Sequence, residues 1–247
     1  MSSRPELKID WATHEAAKYA VTHWHYSKSM PPPPMVHIGA WENEKFIGVV
    51  LFSRGANNNM LKPFGLKAIE GCELVRVALT DHETPVTKII RHSLTFIRNS
   101  NPGLRLIVSF ADPEHGHVGS IYQAGNWIFT GQNQESIEYI GPDGKQWHGR
   151  MVKKQGWTTV YGKRRKVLTP KECTPIKRAG KYRYLMPLDD EMRKRIEPLR
   201  KPYPKRPKQA MTPDQCVTSI DSDAPGDQPG ERGASPTVTL QFPKGGA

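Results

Sequence analysis

LRLIVSFADPEHGHVGSIYQAGNWIFTG, residues 104 to 131, decides the class of fold. LRLIVSFA is an apolar run of strand length that ends at Asp112, where the polar stretch DPEHGH begins. HVGSIYQAGNW predicts a short helix from about Val118 to Ala124, and IFTGQ predicts a strand directly after it. A strand, a helix and a strand in so short a span point to an α/β or α+β chain with a mixed central sheet flanked by helices.

The elements upstream agree. VTKIIRHSLTFIRNS, residues 86 to 100, sets Ile89, Ile90, Leu94 and Ile97 on one helical face, and Thr84 before Pro85 is its expected cap. CELVRVAL, residues 72 to 79, predicts a strand, while MVHIGAWE and KFIGVVLFSRG around the polar turn ENE predict an antiparallel hairpin. WATHEAAKYAVT, residues 11 to 22, places Trp11, Ala16, Tyr19 and Ala20 at helical spacing, and Pro31 to Pro34 make a rigid extended connection. SIEYIG follows as a further short strand, so the expected order is helix, hairpin, strand, helix, strand, helix, strand.

Charge narrows the partners. The net charge is +12, yet from Thr212 onward acids outnumber bases, so the excess sits on residues 1 to 211. Residues 150 to 208 hold 20 of the 36 lysines and arginines, and KKQGWTTVYGKRRK interleaves Trp157 and Tyr161 with Lys153, Lys154, Lys163, Arg164, Arg165 and Lys166. Cations set among aromatics suit DNA strands, which predicts a DNA-contacting segment over residues 145 to 197. No apolar run approaches a membrane span, the first residues lack a signal peptide's hydrophobic stretch, and the three cysteines suggest neither a disulfide framework nor a CxxC zinc site. A soluble, cytoplasmic chain is expected, with one domain over 1–197, a Pro/basic extended linker over 198–211 and a disordered tail over 212–247.

Several residues have a chemical case of their own. His23 and His25 share a face if HWHYSK is extended, and a neutral imidazole can ligate a metal or accept a proton. Arg76 sits mid-strand among apolar neighbours and needs an anionic partner, whether Glu73, Asp112 or a substrate phosphate. Asp112 closes a buried-type strand at its C-terminal end, where ligand sites tend to lie, although a helix cap is a competing role. Asp112, Glu114, His115 and His117 crowd metal-type donors into six residues without meeting a strict ligand template. Trp24, Trp41 and Tyr182 are the aromatics considered for stacking on an extruded base.

GSIYQAGNWIFTG, with the order of elements before it, resembles the GCN5-related N-acetyltransferases over about residues 5 to 140. That resemblance implies that Tyr122 faces the departing thiolate of coenzyme A and that an acyl carrier lies along Val77, Leu79, Lys88 and Asn126. The family's phosphate loop carries glycines before the long helix, whereas LTDHETPVTK, residues 79 to 88, is acidic and has none.

A narrower resemblance covers more of the chain. HWHYSK, ELVRVAL, IVSFAD, IYQAGNW and KYRYLMPLD together resemble the Mom family of phage DNA-modification proteins over about residues 20 to 190. It implies conversion of adenine in double-stranded DNA to N6-carbamoylmethyladenine, which shields the DNA from restriction enzymes. It also implies a reaction site of His25, Tyr26, Arg76, Asp112 and Tyr122, an acetyl-coenzyme A or other acyl donor, and iron, for which His25, Asp112, His115 and His117 are the expected ligands. Two other classes fit the same residues: a non-catalytic DNA-binding protein on a degenerate acetyltransferase fold, and a small-molecule or protein N-acetyltransferase.

Overall fold

The computed structural model describes residues 5–55, 59–160 and 162–205; Tyr161, the end of the expected linker and the whole expected tail lie outside them. Seven strands form the central sheet. In chain order these are β1 (Leu7–Trp11), β2 (Met35–Glu42), β3 (Lys45–Ser53), β4 (Gly71–Leu79), β5 (Leu106–Ala111) and β6 (Ile128–Gln132), and the last is β12 (Tyr182–Pro187). Their spatial order is β1-β2-β3-β4-β5-β12-β6, and β4 with β5 is the parallel pair in an otherwise antiparallel sheet.

Helices cover both faces, so the class of fold read from the sequence holds. The helix α1 (His14–Trp24) sets Ala17, Ala20 and Val21 against Val49, Leu51 and Ala78. On the same side α4 (Asp190–Ile196) sets Met192 and Ile196 against Leu106, Val108, Ile128 and Leu185. The opposite face carries α2 (Val86–Ser100) and α3 (Ser120–Ala124), whose Ile89, Ile90, Leu94, Ile97 and Tyr122 pack on Ile38, Val50, Phe52 and Ile107. Each such aliphatic side chain contributes roughly 1.5–3 kcal/mol by leaving water.

Two expectations need correction, and two further stretches add to the sequence reading. Trp11 ends the edge strand β1, opposite Ile38, and does not open the first helix; the N-terminal cap of α1 is Thr13, whose hydroxyl accepts from the Ala16 N–H. Thr84 does not cap α2: it is buried, and both its N–H and its hydroxyl donate to Glu42. Tyr182–Pro187 had no assignment from the sequence, yet it lies between β5 and β6 and makes β12 central. The stretch after Leu199 is indeed irregular but is held on the fold, with the Lys201 N–H donating to Phe129 O and the Tyr203 hydroxyl to Trp127 O.

Between β6 and β12 the chain makes two small sheets. One has the order β11-β7-β8, from β7 (Ser136–Ile140), β8 (Gln146–His148) and β11 (Thr174–Arg178). The other is a two-stranded ribbon of β9 (Trp157–Val160) and β10 (Lys163–Lys166).

Candidate active site

The parallel pair is short. β4 and β5 are paired from Gly71 opposite Leu106 to Leu74 opposite Ser109, and no further. Just past that last rung β4 holds an extra residue, Val75, against the Leu51–Phe52 step of β3, and such a bulge bends its strand. The strands therefore part, and a cleft of about 480 Å³ opens between them. Its walls bring together His25, Tyr26, Arg76, Asp112 and Tyr122, along with Glu73, Val77, His117 and Lys181.

Tyr122 sits at the apex. Its hydroxyl lies 2.7 Å from Ser109 Oγ, which is 2.8 Å from Leu74 O, so the final rung of the paired strands is tied to α3. Ser109 has one proton to give; where it goes to Leu74 O, Tyr122 donates to Ser109. Burial pushes the Tyr122 phenol up to about 12, so it stays protonated at neutral pH. Gly119 makes this placement feasible: its φ is +79°, and a side chain there would overlap the Tyr184 ring.

Arg76 faces the cleft from β4. One terminal nitrogen donates to Val75 O at 2.8 Å, and the buried Nε has no hydrogen-bond partner. A desolvated guanidinium donor without an acceptor is costly, which makes Arg76 a candidate to receive an anion or a polar oxygen.

His25 follows the end of α1 and is 8% exposed. Its Nδ1 accepts from the Ser27 N–H at 3.1 Å and lies 2.8 Å from the Ser27 hydroxyl, which places the neutral ring's proton on Nε2. Burial, then the charges of Arg76, His117 and Lys28, push its pKa down to about 4. At neutral pH His25 is thus a hydrogen-bond donor and a poor base. His23 does not join it: that ring stacks on Tyr19 at 4.1 Å and its Nδ1 meets Tyr19 O within α1.

Asp112 directly follows β5 and caps the short turn Pro113–His115 by accepting from the Glu114 N–H. Burial acts to raise its pKa, but Lys181 at 3.2 Å, the Glu114 N–H and His115 outweigh that and hold it below the usual carboxylate range. Tyr26 lies at the mouth, half exposed, with its ring 4.3 Å from that of His25 and 4.9 Å from those of His115 and His117. Of the other aromatics considered for stacking, Trp24 also lines the cleft while packing on Tyr19 and Phe46, whereas Trp41, beside Phe46, and Tyr182, beside Phe129, do not line it.

The acid and imidazole cluster of DPEHGH divides. Glu114 turns away to Arg178 at 2.8 Å and to the Ala179 N–H at 2.8 Å, which fastens the β7-β8-β11 insert to this loop. Among the described residues no three His, Cys, Asp or Glu are grouped to hold a metal. Asp112 is paired with Lys181, and the expected iron ligands His25, Asp112, His115 and His117 supply no such group.

Residues 6–205 match the family model described as the Mom protein family. The chain belongs to the Mom protein family. A relative, "Methylcarbamoylase mom" of Escherichia phage Mu, is 26% identical over 210 residues, covering 81% of this chain and 84% of the phage Mu protein. Among solved structures the chain is similar to FeeM, an N-acyl amino acid synthase from uncultured soil microbes, at 12% identity and a TM-score of 0.40, over 77% of this chain and 94% of FeeM. It is similar also to the spermidine/spermine N-acetyltransferase SpeG of Vibrio cholerae, at 8% identity and a TM-score of 0.40, over 76% of this chain and 96% of SpeG.

In this Mom chain the loop expected to hold an acyl carrier's diphosphate does not fit one. The Glu42 carboxylate accepts from the Glu83 N–H at 2.9 Å and from the Thr84 N–H at 2.8 Å, so the amides ahead of α2 are already occupied by the protein's own anion. Asp81 and Glu83 add further negative charge. Of the four residues expected along a carrier, Val77 lines the cleft and Leu79 packs into the core, whereas Lys88 and Asn126 line a separate groove beside α2. Sequence reasoning missed Glu42, because nothing near it in the chain signals a partner at residues 83 and 84.

The basic residues singled out for DNA are far more exposed. Lys163, Arg164, Arg165 and Lys166 form β10, all exposed, and Lys153 and Lys154 lie in the turn before β9. Arg164 covers the Trp157 ring at 4.7 Å, a cation–π contact across the ribbon. Among the described residues no helix is long and apolar enough to cross a membrane.

Proposed function

We propose that this chain is a DNA-modifying transferase that converts adenine in double-stranded DNA to N6-carbamoylmethyladenine and thereby shields that DNA from restriction enzymes. The observation that carries the reading is the cleft where β4 and β5 part, with the unpartnered Arg76 Nε, the protonated Tyr122 and the ionised Asp112 around one space. Support comes from membership of the Mom family and from the similarity to the phage Mu methylcarbamoylase.

The chemistry sets what these residues must do. The exocyclic amine of adenine is a weak nucleophile because its lone pair is delocalised into the ring. In the product an N6–H bond is replaced by a bond to a CH2 that bears an amide, which simple acyl transfer does not give. The base is paired within the duplex, so it must be flipped out to react. Tyr26 offers it a stacking surface at the mouth, and His25 offers an Nε2–H to hold it. As N6 bonds to the CH2, the bond from that CH2 to its carrier breaks, and Asp112 takes the proton from the alkylated, cationic N6. Arg76 stabilises the negative charge that develops on the departing carrier atom, and Tyr122 turns its hydroxyl from Ser109 to protonate that atom. The cations of the ribbon supply attraction to phosphates and hold the duplex against the site.

Mass spectrometry of nucleosides from the DNA of cells expressing the chain tests the reading. Modified adenine of the expected mass supports it, and its loss in Arg76→Ala with DNA binding intact places the chemistry in the cleft. Unmodified adenine throughout, with DNA still bound, rejects it in favour of a binding protein.

A further inference from the structure

A second cavity of about 780 Å³ lies on the other side of α3, between α2, α3 and the start of α4. Ile121 is common to both linings, so α3 is the partition between this groove and the cleft. Lys88, Arg91, His92, Arg98 and Arg193 line the groove, and no Asp or Glu does.

We propose that this groove is a binding site for a nucleic-acid strand, separate from the exposed ribbon. Residues 88, 91, 95 and 98 follow spacings of three, four and three, which aligns Lys88, Arg91, Thr95 and Arg98 along one face of α2. At 1.5 Å per residue that stripe extends about 15 Å, close to three helical turns. A single diphosphate is shorter than one turn and would leave most of the stripe unmatched, whereas a polyphosphodiester presents charge along its whole length.

These cations are available. Among the described residues Lys88, Arg91, Arg98 and Arg193 make no ion pair. Asp189 and Glu197 feel the charges of Arg98 and Arg193, but each is bound elsewhere, Asp189 by Arg105 at 2.8 Å and Glu197 by Arg200 at 2.5 Å. The opposite wall adds apolar surface from Ile121 and Leu188 and the side-chain amide of Asn126, which suits sugars and base edges between phosphates. The groove reaches the first turn of α2, where Pro85 and Thr87 line it, while Glu42 occupies only the Glu83 and Thr84 amides ahead of the helix.

The site goes beyond the modification reading and does not depend on it, because a strand can be held there whatever the cleft does. The test uses the full chain with three charges reversed, K88E/R91E/R98E, and compares its binding to labelled duplex DNA, single-stranded DNA and single-stranded RNA over a range of salt. We expect affinity for at least one probe to fall tenfold or more and its log–log salt slope to drop by about two to three, with the affected probe naming the kind of strand. Ribbon variants should remove a separate share that adds to this one. A milder K88Q/R98Q variant, melting at the wild-type temperature, must show the same trend if the triple change unfolds the chain. Coenzyme A and inorganic pyrophosphate are measured alongside; unchanged affinity and slope for all three nucleic-acid probes overturn the proposal, as does a loss confined to coenzyme A or inorganic pyrophosphate. Wild-type DNA free of modified adenine, with groove binding intact, would instead reject the enzyme reading and leave this site standing.

Discussion

The cleft and the ribbon use cationic and aromatic side chains in opposite settings. In the cleft the Arg76 Nε is out of contact with water and has no partner, the His25 ring is buried, and Tyr122 is fixed to the sheet through Ser109. In the ribbon every residue from Lys163 to Lys166 is exposed, and the ring contact there is the Arg164–Trp157 stack. Desolvated donors act on one point in space and keep their strength in salt, whereas solvated cations act over a distance and are screened. Changes in the cleft should therefore alter rate at constant affinity, and changes in the ribbon should alter affinity at constant rate.

The largest effect is expected at Arg76. Arg76→Ala removes the donor proposed to stabilise developing charge and should lower the rate of adenine modification by about 10²–10³-fold while DNA affinity stays within twofold. Tyr122→Phe should lower it by about 10²-fold, and the melting temperature should hardly move, since Ser109 keeps Leu74 O as its acceptor. Single-turnover measurement of modified nucleoside, with affinity taken from anisotropy, separates the two quantities. A loss of affinity as large as the loss of rate would erase the contrast between the regions.

His25 gives the next effect, read as stability. Its folded pKa is pushed down from 6.5 to about 4, so between those values the unfolded chain binds a proton that the folded chain refuses. Stability is fully present above about pH 6.5, is lost as pH falls toward 4, and changes little further from this group below that, with a span of about 3 kcal/mol. His37, also lowered mainly by burial, adds a contribution of the same sign. Urea unfolding from pH 8 to pH 4 measures the slope, and His25→Gln should flatten most of it. An unchanged slope in that variant would mean that the buried imidazole is not what titrates.

The two regions were also unequally legible in the sequence. The hairpin β2–β3, the strands β4, β5 and β6 and the helices α2 and α3 were readable because each announces itself by apolar spacing within its own residues. β12 was not, since Tyr182–Pro187 includes Arg183 and Pro187, and its partners β5 and β6 lie far upstream in the chain. The cleft residues could be named from motifs, but their states could not. Glu42 reaches Thr84 across 42 residues, Lys181 reaches Asp112 from just before β12, and Glu114 spends both oxygens on Arg178 and Ala179. Crowding in DPEHGH suggested a metal, and only the fold shows each carboxylate already matched to a partner. The ribbon, by contrast, was read as a set of exposed bases around Trp157, since solvated charge needs no distant partner to define it.

Ribbon variants should produce a smaller and more graded effect. Lys163→Ala and Arg165→Ala project from one face of β10 and Arg164 and Lys166 from the other, because successive strand residues alternate. Each change should weaken DNA binding by several-fold and reduce the log–log salt slope by about one, with modification at saturating DNA unaffected. If one face loses affinity and the other does not, that face is the one against the duplex. A fall in the rate at saturating DNA would show that the ribbon also sets the geometry of the cleft, through the Glu114–Arg178 fastening.

The smallest effect sharpens the comparison most finely. The Arg164–Trp157 stack is exposed, so it should contribute only about 0.5–1 kcal/mol to holding the guanidinium in place. Arg164→Ala, Trp157→Ala and the double variant form a cycle in which DNA affinity is measured at fixed salt. A coupling of that size indicates that Trp157 works by orienting Arg164 toward phosphate. A coupling near zero, with Trp157→Ala alone costing more than Arg164→Ala, would assign the indole a direct contact with a base, and the loss should then be nearly independent of salt. Salt dependence is the deciding readout, because a stacked base is held by a neutral surface and an oriented guanidinium is not.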